Sequence, residues 1–268
     1  MSIIDRIELT NEEFFFLASL FDCDALIGVP DPFIGYWIED IEAAMKRAAQ
    51  SLVKKGYIVY KDNDIDVIPK LFTYMEICTK TNMTLWMQSE RNGKRDEIYY
   101  YFDAGKVIES HVFEIGEQLT YHLNERGTSI ELWNEIVKGM LPKQRQVIQD
   151  GAIILDREEF IGYLENGKYS LKELEAKLRW HHASSNMAKQ LAKSMKHHER
   201  YSQFTVFYRV EGDWRVNYIG LLCDEVSNFI VVGMEKHLRQ FVKIYSIAQS
   251  EFIREMQGMI LRSKSPSL

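Results

Sequence analysis

Between Met83 and Phe113 the spacing of apolar residues falls from helical to two, and the same change recurs between Phe204 and Val232. A period of two belongs to half-buried strands, so each stretch commits the chain to a sheet. In the first, Met83, Leu85 and Met87 alternate up to the turn signal Asn92-Gly93, then Ile98, Tyr100 and Phe102 alternate up to Ala104-Gly105. Residues 107–113 and 119–123 continue as strands. Thr128 or Ser129 then caps a helix carrying Ile130, Trp133, Ile136 and Val137, which stops near Gly139-Met140-Leu141-Pro142. In the second, Phe204, Val206, Tyr208 and Val210 run to Glu211-Gly212-Asp213, and Trp214, Val216 and Tyr218 run back. Residues 226–232 and 238–242 supply further strands, and a last helix begins at Ser246 and ends at 258–261. One order, meander then helix then Gly-Met, thus occurs at 83–141 and at 202–261, which predicts two related halves.

The segments before each meander read as helical. Thr10-Asn-Glu-Glu13 has the form of a capping box ahead of Phe14, Phe15, Phe16, Leu17 and Leu20. Beyond Pro30 and Pro32, Ile41, Ala44, Met45, Ala48 and Leu52 mark a helix that stops at Gly56. Residues 57–60 and 65–68 flank Lys61-Asp-Asn-Asp64 as a hairpin, and a helix followed by a hairpin resembles part of a winged helix. In the second half Asp156-Arg-Glu-Glu159 and Ser170-Leu-Lys-Glu173 are further capping boxes. The latter opens one long helix through Leu174, Leu178, Met187, Leu191 and Met195. The expected organisation is an N-terminal half, 1–141, and a C-terminal half, 142–268, folded as one unit with a frayed tail at 262–268.

Composition narrows the function classes. A net charge of −6 disfavours nucleic acid, whose phosphates call for a basic surface. Three scattered cysteines, Cys23, Cys78 and Cys223, suit the reducing cytosol better than a disulfide framework or a zinc site. The N-terminus lacks the pattern of a signal peptide, and the densest apolar run, 229–234, is far below the roughly 20 residues a bilayer requires. A cytoplasmic protein without stable membrane insertion is expected. Neither a phosphate-binding Gly loop, a G-x-S-x-G elbow nor H-E-x-x-H is present. Asp62, Asp64 and Asp66 imitate the start of a calcium loop, but Val67 and Thr73 occupy the positions that need glycine and glutamate. His181-His182 and His197-His198 each offer a single ligand to any one metal, because adjacent helical residues point about 100° apart. The expectation is a non-enzyme with no metal and no cofactor.

What remains is surface. Met1 to Met45 holds ten acidic residues and one basic residue, whereas Lys172 to Arg200 holds seven basic and three acidic, which suggests matched docking surfaces. Tyr99 and Tyr101 lie across the pleat from Tyr100, so one face of that strand is expected to present aromatics to a partner.

Two segments carry a family likeness: Leu9-Thr-Asn-Glu-Glu-Phe14 before the first helix, and Ala48-Ala49-Gln-Ser-Leu52-Val-Lys-Lys-Gly56-Tyr-Ile58 at the end of the second. With the sheet-then-helix order, the middle helices and the Trp214 hairpin, they make the chain resemble the EspG-type chaperones of type VII (ESX) secretion. The resemblance implies an α+β, quasi-two-fold fold, mainly antiparallel sheet with flanking helical bundles. It also implies cytosolic binding of the apolar tip of a helical-hairpin secretion substrate of WxG or LxG type, with a homodimer left open. The chain is not itself such a substrate, since none of its five tryptophans has glycine at i+2. Tyr121-His-Leu-Asn-Glu125 imitates an export signal but falls at a strand end. The docking residues implied are Asn92 and Gly93 at the first turn, Tyr99 and Tyr101 on the strand, and Trp180 and Met187, seven apart on the long helix. A winged-helix regulator that binds DNA or a protein, and an enzyme of unrecognised class, are the alternative readings.

Overall fold

A computed structural model gives the fold; it describes all residues except 1–5, 24–25, 63, 92–93, 104, 117, 141–144, 146, 165–167, 237–238 and 265–268. The sequence-nominated turn residues Asn92 and Gly93 and most of the expected frayed tail lie outside the described residues. By contacts the chain forms two compact units, 1–86 with 97–133, and 87–96 with 134–268. The sequence boundary at 141 lies just past the helix in which this division occurs.

The first unit starts with β1 (Ile7–Thr10) and α1 (Asn11–Ser19), followed by α2 (Ile38–Lys54), the hairpin β2 (Ile58–Lys61) and β3 (Asp64–Val67), and α3 (Pro69–Lys80). A meander follows: β4 (Met83–Arg91), β5 (Lys94–Phe102), β6 (Val107–Ile115) and β7 (Gln118–Glu125), then α4 (Ser129–Met140). β1 returns to pair antiparallel with β7, setting Leu9 opposite Tyr121, so the strand order is β1-β7-β6-β5-β4. Phe14, Leu17, Leu52, Leu71, Met75 and Tyr101 are among the side chains that fill the core between α1–α3 and this sheet.

The second unit repeats the plan. β8 (Ala152–Asp156) leads into α5 (Arg157–Leu164), α6 (Leu171–Trp180) and α7 (Ser185–His197). The meander β9 (Arg200–Val210), β10 (Asp213–Cys223), β11 (Asn228–Lys236) and β12 (Arg239–Ser246) comes next, then α8 (Gln249–Lys264). β8 pairs antiparallel with β12, as β1 does with β7, giving β9-β10-β11-β12-β8. Ser246, expected to open the last helix, instead ends β12. The fold is α+β and mainly antiparallel.

The duplication reaches further than the two meanders. Ile7-Glu-Leu9-Thr-Asn-Glu-Glu-Phe14 and Ile153-Ile-Leu155-Asp-Arg-Glu-Glu-Phe160 share their apolar positions and the Glu-Glu-Phe end. In both, the last strand residue caps the helix: Thr10 Oγ1 accepts from the Glu13 N–H, and Asp156 Oδ1 from the Glu158 N–H. In both, the second glutamate meets the residue that ends the next helix of the shared plan. Glu13 accepts from Lys55 Nζ at 2.6 Å, and Glu159 stands 3.1 Å from His181 Nε2. Lys55 and His181 are the C-caps of α2 and α6.

The single long helix expected from Ser170 is two helices. Ser184 Oγ accepts from the Met187 N–H and starts α7, while His182, at φ 62°, turns the chain out of α6. The local periodicity of 174–195 continues through this corner, which is why the pattern alone does not show it. The corner is a helix stop built like the one at Gly56. Tyr57 and Gly56 N–H groups reach the carbonyls of Leu52 and Val53; Ala183 and His182 N–H groups reach those of Leu178 and Arg179. Gly56 takes φ 72° without steric cost, whereas His182 crowds its Cβ against the backbone at the same place. His182→Gly should therefore stabilise the protein by about 1 kcal/mol, raising the melting midpoint by about 2–4 °C in a calorimetric scan.

Candidate docking site on the second unit

Where the nominated side chains fall decides which of them can meet a partner. Tyr101 is wholly buried, and its hydroxyl donates to the Ile27 carbonyl at 2.6 Å. Tyr99 is buried against Gly28, where an added methyl group would stand 2.5 Å from its ring. Its hydroxyl donates to Glu97, and its ring stacks 5.8 Å from that of Trp86. Tyr100, across the pleat, is buried as well. The expectation of an exposed aromatic face on this strand is thus corrected: alternation puts the tyrosines on opposite sides, but both sides are covered, one of them by the turn at 26–29. Met187 is likewise wholly buried, in the core formed by Phe160, Leu174, Leu178, Leu191 and Phe229. Because α6 and α7 are separate helices, Trp180 and Met187 do not share a face.

Trp180 is the exception, with 83% of its surface open to solvent at the end of α6. It borders a groove of about 490 Å³ lined by Glu159, Tyr163, Ala176, Lys177, Trp180 and His181. α6 is anchored by a complete capping box: the Ser170 backbone N–H donates to Glu173, and Ser170 Oγ accepts from the Glu173 N–H. The Ser170 backbone N–H, and after it the Ser170 hydroxyl, bond the Glu173 carboxylate and hold it below the ordinary carboxylate range. This carboxyl's share of stability is full at neutral pH and is lost as pH falls through its lowered folded value.

α5 organises both walls of the region. Phe160 points into the core, and Glu159 and Tyr163, four apart, line the Trp180 groove. Ile161 and Leu164, three apart, line a second groove of about 390 Å³ with Gln88, Ser89, Glu90, Arg95, His198, Tyr201 and Gln203. That second groove reaches the shoulders of the β4–β5 hairpin on either side of the nominated turn. Burial, with Glu159 alongside, pushes the Tyr163 phenol up, so it stays neutral and donates to the Glu159 carboxylate. Lys177 lies 5.9 Å over the Tyr163 ring and 5.0 Å over that of Tyr169. Polar groups at one end and an exposed indole at the other suit this surface to grip an apolar side chain with a charged neighbour. Sequence reasoning found Trp180 and, in Asp156–Glu159, the start of α5, but not the faces α5 presents, because its eight residues carry too short an apolar pattern to declare them.

The cysteines are no better placed for chemistry. Burial raises the Cys78 thiol well above its usual value and the Cys223 thiol to about 11, which keeps both as unreactive thiols. Among the described residues, no group of three or more His, Cys, Asp or Glu side chains is placed to hold a metal ion, and no helix is long and apolar enough to cross a membrane.

No protein-family description and no curated protein matches this sequence. Among solved structures, the chain is similar to EspG5 of Mycobacterium tuberculosis, a type VII secretion system chaperone seen in complex with the PE25–PPE41 dimer. The likeness covers 96% of each chain with a TM-score of 0.62 and 9% sequence identity. The fold is of the EspG type.

Proposed function

We propose that this protein is a cytosolic, non-catalytic chaperone that holds the apolar tip of a helical-hairpin type VII secretion substrate of WxG or LxG type. The observation that carries the reading is Trp180: a large aromatic held in solvent beside an apolar groove, at the end of a helix, in a fold of the EspG type. A large exposed aromatic that continues into an apolar groove with a polar rim suits a contact site. The adjoining Ile161–Leu164 groove gives the same partner a second apolar foothold. A helix tip presents its side chains in a small cluster, and two short grooves flanking α5 match that better than an extended peptide, which would need a free strand edge.

Co-expression tests this. A tagged copy expressed with the small helical-hairpin proteins encoded beside it should bring one of them down as a soluble, stoichiometric complex. Failure of every such protein to copurify, with salt-sensitive retention of the chain on DNA, would favour the regulator instead.

A further inference from the structure

The first unit carries an exposed apolar surface that shares no residue with the Trp180 groove. Between α1 and α2 the chain makes an ordered turn: the Phe33 N–H donates to Asp31 Oδ1 at 2.8 Å, and the Tyr36 N–H to the Phe33 carbonyl. Phe33 is buried edge-on against Phe15, with 5.4 Å between ring centres, and Asn11 Nδ2 donates to the Pro30 carbonyl, so the segment is tied to α1 at two points. Ile34 is nonetheless 79% exposed, Trp37 78% and Ile38 75%, with Tyr36 more than half exposed. Trp37 also sits where folding alone would place another residue. It is the N-cap of α2 and its side chain makes no cap bond, whereas α1 and α6 start on Thr10 and Ser170 in complete capping boxes. A helix start favours Ser, Thr, Asp or Asn. A chain that forgoes the cap and holds an indole in solvent breaks a local rule, and such breaks gather at functional positions.

Charge selects the occupant. Asp31, Glu39, Asp40 and Glu42 are all exposed, and no basic residue falls between Asp31 and Met45. α1, which packs against the turn, has no basic residue either. The first cations of α2, Lys46 and Arg47, begin about 12 Å along the helix from Ile38. A helix N-terminus accounts for acids at 39 and 40, but not for the bare apolar side chains beside them. Anionic lipid is repelled by such a rim. A turn and a helix start offer no strand edge, so an extended segment has nothing to pair with. We infer that this surface docks a basic amphipathic helix of another protein. Its apolar face covers Ile34, Trp37 and Ile38, and its lysines or arginines meet Glu39, Asp40 and Glu42. The chaperone reading uses residues of the second unit, so the two stand or fall separately.

Fluorescence anisotropy of a labelled synthetic helix of leucine and lysine tests this, with a leucine–glutamate helix and a serine–lysine peptide as controls. The leucine–lysine helix should bind, and both controls at least about tenfold more weakly, because one lacks the charge match and the other the apolar face. Trp37→Ser should weaken binding about 30-fold while holding or raising the melting midpoint, since serine supplies the missing cap. Glu39→Lys/Asp40→Lys/Glu42→Lys should lose the leucine–lysine helix and gain the leucine–glutamate one, and Trp180→Ala should change neither. Equal binding of the leucine–lysine and serine–lysine peptides, or binding indifferent to Trp37→Ser, would overturn the inference. So would binding lost in Trp180→Ala, which would move the helix to the other groove. Trp37-dependent self-association in sedimentation, or Trp37-dependent binding to phosphatidylglycerol vesicles, would overturn it in favour of a second copy or a membrane.

Discussion

Tyr101→Ala should lower the stability of the protein by about 3–5 kcal/mol, the range for removing a fully buried aromatic side chain from a core. The ring has no solvent contact and belongs to the cluster that includes Phe14, Leu71, Met75 and Tyr121. Truncation leaves a cavity beneath the turn at 26–29 and strips the Ile27 carbonyl of its 2.6 Å hydrogen bond. Tyr101→Phe separates the two contributions, since it keeps the packing and removes only the hydroxyl, at about 1–3 kcal/mol. In a thermal scan the alanine variant should melt roughly 10 °C below the parent, at about 2–4 °C per kcal/mol for units of this size. A near-native midpoint for Tyr101→Ala would mean that the strand is more open than its burial states.

Trp180→Ala should do the opposite, leaving the melting midpoint within about 2 °C and weakening the helical partner about 30- to 1,000-fold. An aromatic anchor at an interface centre is worth about 2–4 kcal/mol on truncation, and each 1.4 kcal/mol is a factor of ten. The fold tolerates the loss because the side chain is 83% exposed and buries little that folding depends on. Isothermal titration of the two proteins reads the change directly. Parent-like affinity in a folded Trp180→Ala variant would move the docking site away from α6.

The contrast between these two aromatics shows where sequence reasoning reaches its limit. Alternation correctly separates Tyr99 and Tyr101 from Tyr100, because the pleat is a property of the strand alone. Whether a face is then covered depends on what packs there, and the turn at 26–29, which buries Tyr99 and Tyr101, has no periodicity to read. Trp180 and Met187 fail together for a related reason. Seven residues apart, they share a face only if the helix is continuous, and His182 in a left-handed conformation breaks it without the glycine that would have announced the stop. Capping boxes and meanders are local, and these were legible: Thr10–Glu13 and Ser170–Glu173 form both of their reciprocal bonds. Short strands completed only by distant partners were not. β1 has four residues and β8 five, and each becomes a strand by adding to the last strand of its own meander. α3 was also missed, although its buried Leu71, Tyr74, Met75 and Cys78 stand at i, i+3, i+4 and i+7.

The account stands most directly on a titration of the copurifying helical-hairpin protein against this chain, run with the intact hairpin and with a variant whose apolar tip residues are changed to serine. The intact protein should bind one to one, and the serine-tipped variant should lose most of that affinity while remaining helical. Equal binding by both would contradict tip recognition, and binding by neither would contradict the chaperone assignment itself.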